Sequence, residues 1–277
     1  MIKIGKFNTL RVIKKVPFGF YLDGADEGEI LLPKKYASKE LKIDDEIMVF
    51  IYYDSEDRLV ATTETPKGEV DQCVALKVID VNRTGVFLDW GLAKDLLLPK
   101  DEQIRRLEVG ETIAVFIYQD EQNRLAASMK LRDFITETSP YLKQDQTVNL
   151  LITNKTELGY RALIENMCLG MLYHNEIFQT LEIGDQVTGY IKAIRTDEKI
   201  DLSLQRPSKE TRSDLMTEIL AHLKQQGGCS QLTDKSTPEQ IKKQFKVSKA
   251  AYKKALGRLY KLQKIKLSKT EICIKDQ

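Results

Sequence analysis

The segment NRTGVFLDW (82–90) is a short strand-like run with one glycine, Gly85, and its pattern occurs twice more in the chain. The other copies are VPFGFYLD (16–23), which contains Gly19, and TELGYRALI (156–164), which contains Gly159. Fourteen residues after each glycine an apolar run ends, at Pro33, Pro99 and Tyr173. Twenty-five residues after each glycine stand Asp44, Gly110 and Gly184. Because these landmarks keep the same offsets, we interpret the first three quarters of the chain as three copies of one unit.

Each copy closes with two strand-like runs joined by a polar turn. The runs read IMVFIYYDSEDRLVATT, IAVFIYQDEQNRLAAS and VTGYIKAIRTDEKIDLSL, and the turns DSED (54–57) and DEQN (120–123) hold residues that tolerate hairpin geometry. Five short alternating strands with a late hairpin are typical of a five-stranded OB-fold barrel, whose closure removes exposed strand edges. The repeat therefore predicts three tandem barrels, over residues 1–66, 67–139 and 140–206.

The pattern changes to a helical period after Pro207. A first helix carries an apolar stripe and ends at Gly227-Gly228; its apolar residues are Leu215, Ile219, Leu220 and Leu223. A second, short helix begins at Thr237-Pro238-Glu239-Gln240, which supplies an N-cap, a first-turn proline and a capping-box glutamine, and it ends near Phe245.

A third helix is capped by Ser248, with Val247 and Tyr252 at staple positions. Its predicted buried face consists of Tyr252, Ala255, Leu256, Leu259 and Leu262. Strand-like ends at 264–268 and 271–275 complete the order helix, helix, helix, hairpin. Residues 207–277 are therefore predicted to form a winged helix-turn-helix domain, whose third helix commonly reads a nucleic-acid groove.

The net charge of +2 is distributed unevenly. Residues 207–277 hold 16 Lys and Arg against 7 Asp and Glu, whereas residues 1–206 carry a net charge of −7. The basic tail favours a polyanionic partner, and the acidic barrels would have to bind nucleic acid through local patches.

Several classes of protein are not indicated by the sequence. No apolar stretch reaches the roughly 18 residues of a membrane span, and the N-terminus lacks a secretory apolar run, so we expect a cytoplasmic protein without a membrane partner. The cysteines at 73, 168, 229 and 273 form no Cys-x-x-Cys pair, and neither histidine is near one, so we expect lone thiols and no zinc site. The acidic loop 23–29 lacks EF-hand spacing. No phosphate-binding loop or Ser-His-Asp set appears, so we expect neither an enzyme nor a cofactor.

The glycine-centred strand, the following apolar run, the Leu-x-Val/Ile-Gly-Asp/Glu turn and the closing RLAAS or IDLSL strand resemble the S-one RNA-binding domain. The third copy matches the ending best, with KIDLSLQRP (199–207). Three such barrels followed by a winged helix resemble the conserved virulence factor B family of bacterial RNA-binding regulators over essentially the whole chain. The resemblance implies binding of single-stranded RNA and an influence on gene expression after transcription.

The resemblance also implies binding positions: the residues just before and two after the strand glycine, the end of the next strand, and a basic residue that opens the last strand. In the first barrel these positions hold Phe18, Tyr21, Pro33 and Arg58. In the second they hold Thr84, Phe87, Pro99 and Arg124, with Trp90 as a further ring nearby. In the third they hold Leu158, Arg161, Tyr173 and Lys199, with His174 adjacent.

Two departures from the family pattern indicate weak individual barrels. Proline replaces the usual stacking histidine in two copies, and the third copy lacks both strand aromatics, so affinity would come from linking several sites. The candidate RNA contacts in the barrels are Phe18, Tyr21, Arg58, Phe87, Arg124, Tyr173, His174 and Lys199. Those in the third tail helix are Lys249, Lys253, Lys254, Arg258 and Lys261.

Other interpretations remain open at this point. The aromatic candidates could be core residues, and the two arginines could be ordinary hairpin residues. The chain could be a duplex-DNA-binding transcription regulator that acts through the third tail helix, although lysines suit phosphates better than bases. It could also be a protein-interaction scaffold whose acidic barrels never touch nucleic acid.

Overall fold

The chain folds into three closed five-stranded barrels followed by a helical domain with a small sheet, as predicted. The structure, a computed structural model, describes residues 1–177, 179–205, 211–268 and 270–275, and of residues 211–214 only the backbone. No helix within these ranges is long and apolar enough to cross a membrane.

The strands of the first barrel are β1 Phe7–Val16, β2 Gly19–Asp23, β3 Glu29–Pro33, β4 Glu46–Tyr53 and β5 Leu59–Thr62. Those of the second are β6 Cys73–Val81, β7 Gly85–Asp89, β8 Leu96–Pro99, β9 Thr112–Gln119 and β10 Leu125–Ser128. Those of the third are β11 Thr147–Thr156, β12 Gly159–Ile164, β13 Cys168–Tyr173, β14 Gln186–Ile194 and β15 Ile200–Ser203. In each barrel the order is first, second, third, fifth and fourth, and the third strand pairs in parallel with the fifth.

The repeated strand glycine lies where two strands approach closely. A Cβ added at Gly85 would lie 2.5 Å from the carbonyl oxygen of Leu98 on the neighbouring strand, and the corresponding distances at Gly19 and Gly159 are 2.2 and 2.0 Å. A backbone carbonyl cannot move aside as a flexible side chain can, so only glycine fits these three positions. This steric requirement explains the most regular landmark of the repeat.

The alternation of buried and exposed residues follows the strand period. In β2, Phe20 and Leu22 are buried in the barrel core, whereas Tyr21 between them faces outward and is half-buried. Phe87 occupies the corresponding outward position of β7. The second strand therefore presents an aromatic ring on the outside of both barrels.

The chain divides into two compact units, one of residues 1–136 with 151–154 and one of residues 137–150 with 155–277. In the first unit one apolar cluster joins the two barrels. It consists of the interior of the second barrel with Phe50, Tyr52 and Val60 of the first, whose own interior forms a separate cluster. Phe50 and Tyr52 of β4 lie 5.5 and 6.4 Å from the ring of Trp90, which follows β7. The Trp90 indole N–H donates to the carbonyl oxygen of Gly68 at 2.8 Å.

Trp90 is only 2% exposed, so the expectation that it adds a ring to the binding surface is wrong. It joins the barrels instead. A short helix, α1 (Leu131–Phe134), covers the equivalent face of the second barrel: Phe134 stacks on Phe116 at 4.6 Å and on Tyr118 at 5.3 Å.

The C-terminal domain consists of α2 (Thr211–Gln225), β16 (Cys229–Ser230), α3 (Pro238–Phe245), α4 (Lys249–Lys261), β17 (Ile265–Leu267) and β18 (Ile272–Ile274). The predicted capping box at Thr237 and the Ser248 cap are both present. Tyr252, Leu256 and Leu259 of α4 lie in the core as predicted. Leu262 does not: α4 ends at Lys261, and the side chain of Leu262 is 53% exposed.

The prediction of four lone thiols is wrong for two of them. Cys229 and Cys273 form a disulfide bond, because β16 pairs antiparallel with β18 and places the two residues directly opposite each other. A two-residue strand after Gly227-Gly228 has no periodicity that the sequence could reveal. Cys73 and Cys168 are buried thiols outside this bond, and burial raises their pKa to about 12 and about 11.

Candidate nucleic-acid interface

The outward face of the second and third strands forms an equivalent surface on each barrel. In the first barrel Tyr21 stands opposite Lys14 on β1 and Leu31 on β3. In the second, Phe87 stands opposite Asp80 and Leu97. In the third the position is held by Arg161, which pairs in register with Met171. In each barrel the residue two positions after the strand glycine thus lies at the centre of this outward face.

The first barrel carries an exposed cluster of aromatic and cationic side chains. Phe18 is 57% exposed, and its ring centroid lies 6.4 Å from that of Tyr21 in an edge-to-face arrangement. The Lys14 ammonium lies 5.6 Å from the Tyr21 ring centroid. The structure therefore brings the predicted pair Phe18 and Tyr21 together. We call Lys14, Phe18 and Tyr21 the aromatic cluster.

Arg58 and Arg124 hold the hairpins that precede the last strands. The Arg58 guanidinium donates two hydrogen bonds to Asp54, at 3.0 and 2.7 Å. Arg124 donates a matching pair to Asp120, at 2.9 and 2.8 Å. The two arginines thus close their own turns, and the side chains of both remain more than half exposed.

The aspartates of these hairpins have lowered pKa values. Partial burial raises the pKa of Asp54, but hydrogen bonds from the backbone and side chain of Arg58 and from the Glu56 amide outweigh it, so the net pKa is lowered. Asp120 behaves in the same way beside Arg124. The positive charge of each hairpin arginine is therefore balanced locally.

A groove of about 430 Å³ opens on the outside of the second barrel. One wall consists of outward-facing residues of β7 and β8, namely Phe87, Leu97 and Pro99. The β9–β10 hairpin and its strands add Tyr118 and Arg124. Ser55 and Asp57, from the β4–β5 hairpin of the first barrel, complete it. The Lys94 ammonium donates to the carbonyl oxygen of Asp54 at 2.7 Å and so brings that hairpin to the groove.

The corresponding place on the first barrel is filled by protein. The residues equivalent to Tyr118 and Ala126 there are Tyr52 and Val60, which are 4% and 6% exposed within the core shared with Trp90. Of the first two barrels, the second therefore offers the deeper groove and the first the more exposed rings.

The lining of the groove suits bases better than phosphates. Arg124 is paired with Asp120, and Lys94 lies 3.9 Å from Asp57. The Asp95 carboxyl adds further negative character; burial, with the nearby charges of Asp89 and Asp80, raises its pKa. Because both cations are already beside carboxylates, a phosphate would find no unpaired positive charge among them, whereas a base can stack on Phe87 and donate its amino hydrogens to carboxylate oxygens.

The third barrel has a different arrangement around its candidate residues. The ring of Tyr173 lies under the guanidinium of Arg195 at 5.6 Å, and its hydroxyl hydrogen-bonds the same group. Arg195 also contacts Asp201 at 2.9 Å. Lys199 is exposed and pairs with Asp197 at 3.3 Å.

Arg195 is a candidate that was not predicted from the sequence. Its backbone N–H donates to the carbonyl oxygen of Lys199, four residues on, as the amides of Asp54 and Asp120 do to the hairpin arginines of their own barrels. An arginine thus stands where the other two barrels have an aspartate, and an alignment of the three hairpins would have shown this reversal of charge.

The other candidates near this barrel are less tightly grouped. His174 begins the short turn after β13 and is exposed, 6.4 Å from the Tyr160 ring. Arg161 is paired with Glu137 at 2.9 Å.

The cations of α4 form an uncompensated basic surface. Lys254, Arg258 and Lys261 are exposed on the side of α4 away from Tyr252 and Leu256. The exposed Lys253 and the half-buried Lys249 flank this side. In the described ranges none of these five cations takes part in an ion pair. Tyr260, which is 55% exposed, adds a ring beside them that was not among the predicted contacts.

Comparison with known proteins agrees with this architecture. The family described as S1 domain matches residues 4–64 and 72–130, and the family described as CvfB-like winged helix domain matches residues 217–273. These are nucleic-acid-binding types of domain and not enzymatic ones.

Relatives match along nearly the full chain. An uncharacterized protein of Bacillus subtilis, YitL, is 30% identical, with 94% of this chain and 90% of the relative covered. Conserved virulence factor B of Staphylococcus saprophyticus is 25% identical, with 98% and 94% covered. A crystal structure of a multidomain protein with nucleic acid binding domains from Streptococcus pneumoniae is 24% identical and covers 98% of both chains, with a TM-score of 0.45. By the two family models and the two relatives, the chain belongs to the conserved virulence factor B family, with S1-type barrels and a winged helix.

Proposed function

We propose that this protein binds single-stranded RNA in the cytoplasm and, without catalysing a reaction, regulates gene expression after transcription. The observation that carries the proposal is the placement of outward-facing rings at the same strand position of two barrels that one apolar cluster joins. Tyr21 and Phe87 are both half-buried and outward-facing, and Phe18 extends the first of these surfaces. Unpaired bases can stack on such rings, whereas bases within a duplex cannot reach them.

The charge distribution supports different roles for the barrels and the tail. Carboxylates line the groove beside Phe87, which favours bases over phosphates there. The α4 cations have no acidic partners in the part of the chain that the structure describes, so they can neutralise phosphates. Tyr173 with Arg195, and the exposed His174 and Lys199, give the third barrel a weaker contribution of the same kind.

A regulatory role follows from what such a binder can do. Occupation of a single-stranded segment blocks its pairing with other strands and its access to other proteins. Several linked weak sites give an affinity that rises steeply with the length of unpaired RNA, because each further contact is intramolecular. This mode of action requires no catalytic group.

The test measures binding of full-length protein to a labelled, unstructured RNA of about 20 nucleotides, longer than the site of one OB fold. We expect Phe87→Ala to weaken binding about 5- to 150-fold, since one stacked base contributes about 1–3 kcal/mol. Tyr141→Ala is the matched control, because that ring is 79% exposed but lies outside the groove and the aromatic cluster. Unchanged affinity in Phe87→Ala, with far-ultraviolet circular dichroism showing an intact fold, would contradict the proposal.

A second candidate function is binding of duplex DNA through α4, favoured by the same unpaired cations. Competition by duplex DNA of equal length distinguishes the two. RNA binding through the barrels predicts that the duplex competes poorly and that Phe87→Ala does not alter duplex binding. Preferential binding of the duplex, unaffected by Phe87→Ala, would favour the DNA-binding function.

A further inference from the structure

The small sheet of the winged helix has one apolar face and one face toward solvent. Ile265 and Ile272 are buried in the domain core, so the alternate residues of β17 and β18 point away from it. Cys273 stands opposite Cys229 on β16 and opposite Lys266 on β17. The Cys229–Cys273 bond therefore lies on the solvent side of the sheet, and neither cysteine is buried.

The bond borders an open groove of about 620 Å³. Polar side chains line most of it, including His222, Gln240 and Glu271. The Glu271 carboxylate oxygen lies within 4.8 Å of both sulfur atoms. A small hydrophilic thiol can therefore reach the sulfur of Cys229 without any rearrangement of the domain core.

The other two cysteines have the opposite environment. Cys73 and Cys168 are buried among apolar residues, and burial raises the pKa of both thiols. Because the thiolate is the reactive form, these two residues are protected from oxidation and exchange. Only Cys229 and Cys273, of the four cysteines, are therefore placed to take part in disulfide exchange.

The location of the bond gives it a structural consequence. Cys229 and Cys273 are 44 residues apart, and the closed loop contains α3 and α4 entirely. Without the bond, β16 is attached to β18 by a two-residue ladder and by the hydrogen bond from the Ile274 amide to the Gly228 carbonyl oxygen at 2.8 Å. Strands this short are marginal on their own.

We propose that Cys229 and Cys273 form a reversible exchange site for low-molecular-weight thiols and disulfides, and that its oxidation state sets the order of β16 and the adjoining sheet. In the oxidising direction, one cysteine thiolate attacks a small disulfide, forms a mixed disulfide and releases one small thiol. The second cysteine thiolate then displaces the other small thiol. The two cysteines lose two electrons and two protons, which the small disulfide gains as it becomes two thiols.

The first test follows the thiols of full-length protein in buffers of reduced and oxidised glutathione. Native protein is alkylated with N-ethylmaleimide at each ratio, and the modified peptides are identified by mass spectrometry. Cys229 and Cys273 should become protected together, in one reversible two-electron transition, while Cys73 and Cys168 react only after denaturation. Independent protection of the two residues, or failure of the reduced protein to re-form the bond, would overturn the proposal.

The second test measures hydrogen exchange of the Ile274 amide. It should exchange at least several-fold faster in reduced protein than in oxidised protein. The double variant Cys229→Ser, Cys273→Ser should exchange at the reduced rate in either buffer, provided that circular dichroism shows it folded. Equal rates in reduced and oxidised wild type would refute the structural consequence. Neither test uses nucleic acid, so its outcome is independent of the proposed RNA binding.

Discussion

Replacement of Trp90 by alanine tests whether the first two barrels act as one body. The ring is 2% exposed and packs edge-to-face on Phe50 and Tyr52, and its N–H is bonded to Gly68. Removal of a buried tryptophan side chain costs about 3–5 kcal/mol through the packing it removes and the cavity that remains. The change also leaves the Gly68 carbonyl without its donor, which costs about 1 kcal/mol. We expect the free energy of unfolding of this unit to fall by roughly 4–6 kcal/mol.

The assay is urea unfolding followed by far-ultraviolet circular dichroism. Trp90 is the single tryptophan of the chain, so its fluorescence in wild type reports the same interface directly. Trp90→Phe keeps a ring but removes the donor, and should cost clearly less than the alanine variant. Phe134→Ala is the matched control, because that ring covers the equivalent face of the second barrel but is 40% exposed.

The same substitution has an expected effect on binding. The ring cannot contact RNA, yet its removal should weaken RNA binding, since the aromatic cluster and the Phe87 groove would no longer be held at a fixed separation. An unfolding midpoint of Trp90→Ala equal to that of wild type would refute the expected destabilisation. Reduced stability with unchanged RNA affinity would refute the claim that barrel coupling serves binding.

Three further results are expected. Gly85→Ala should destabilise the second barrel by on the order of 3 kcal/mol in urea unfolding, since its Cβ would meet the Leu98 carbonyl. Gly257→Ala should instead stabilise α4 by about 0.5–1 kcal/mol, because nothing lies within 4 Å of the added Cβ. The pKa values of Asp54 and Asp120 are lowered in the folded state, so the two carboxylates stabilise the fold fully above the ordinary carboxyl pKa of about 4. This contribution disappears as the pH falls through the folded pKa values. The variant with both residues replaced by Asn should therefore lose less stability than wild type between pH 7 and pH 3. Replacing Lys253, Lys254, Arg258 and Lys261 by glutamine should make RNA binding less sensitive to salt. The slope of the logarithm of the binding constant against the logarithm of the salt concentration should fall in magnitude by about 0.7 for each phosphate that α4 no longer neutralises. An unchanged slope would exclude α4 from the interface.

The repeat could be recognised in the sequence because its landmarks are steric requirements. Gly85 is followed fourteen residues later by Pro99, and the two stand opposite each other on paired strands. The same pairing joins Gly19 to Pro33 and Gly159 to Tyr173. Constraints of this kind act within one barrel and recur in each copy, so the same residue spacings appear three times in the sequence.

Interactions between elements that do not repeat could not be predicted in this way. Trp90 follows a strand at a position that looks like an exposed turn, and its contacts with Phe50 and Tyr52 of the preceding barrel leave no pattern in the sequence. Arg58 and Arg124 appear as free cations in the sequence, but both are bound to an aspartate four residues earlier. The Cys229–Cys273 bond depends on a strand of two residues. The predicted RNA contacts themselves remain predictions.

The coupling of the first two barrels explains how weak sites on acidic domains can be useful. A base stacked on one ring contributes about 1–3 kcal/mol, which alone would give no more than a transient complex. If each barrel moved freely, every further contact would also have to overcome the entropy of fixing that barrel on the strand. Because the packing around Trp90 already fixes the second barrel relative to the first, binding would not have to overcome this entropy again. The stacking energy of the second barrel would then add almost fully to that of the first. Under the proposed function, the net charge of −7 on residues 1–206 is then compatible with RNA binding, because base contacts would supply the affinity there and the cations of the tail would contribute the phosphate contacts.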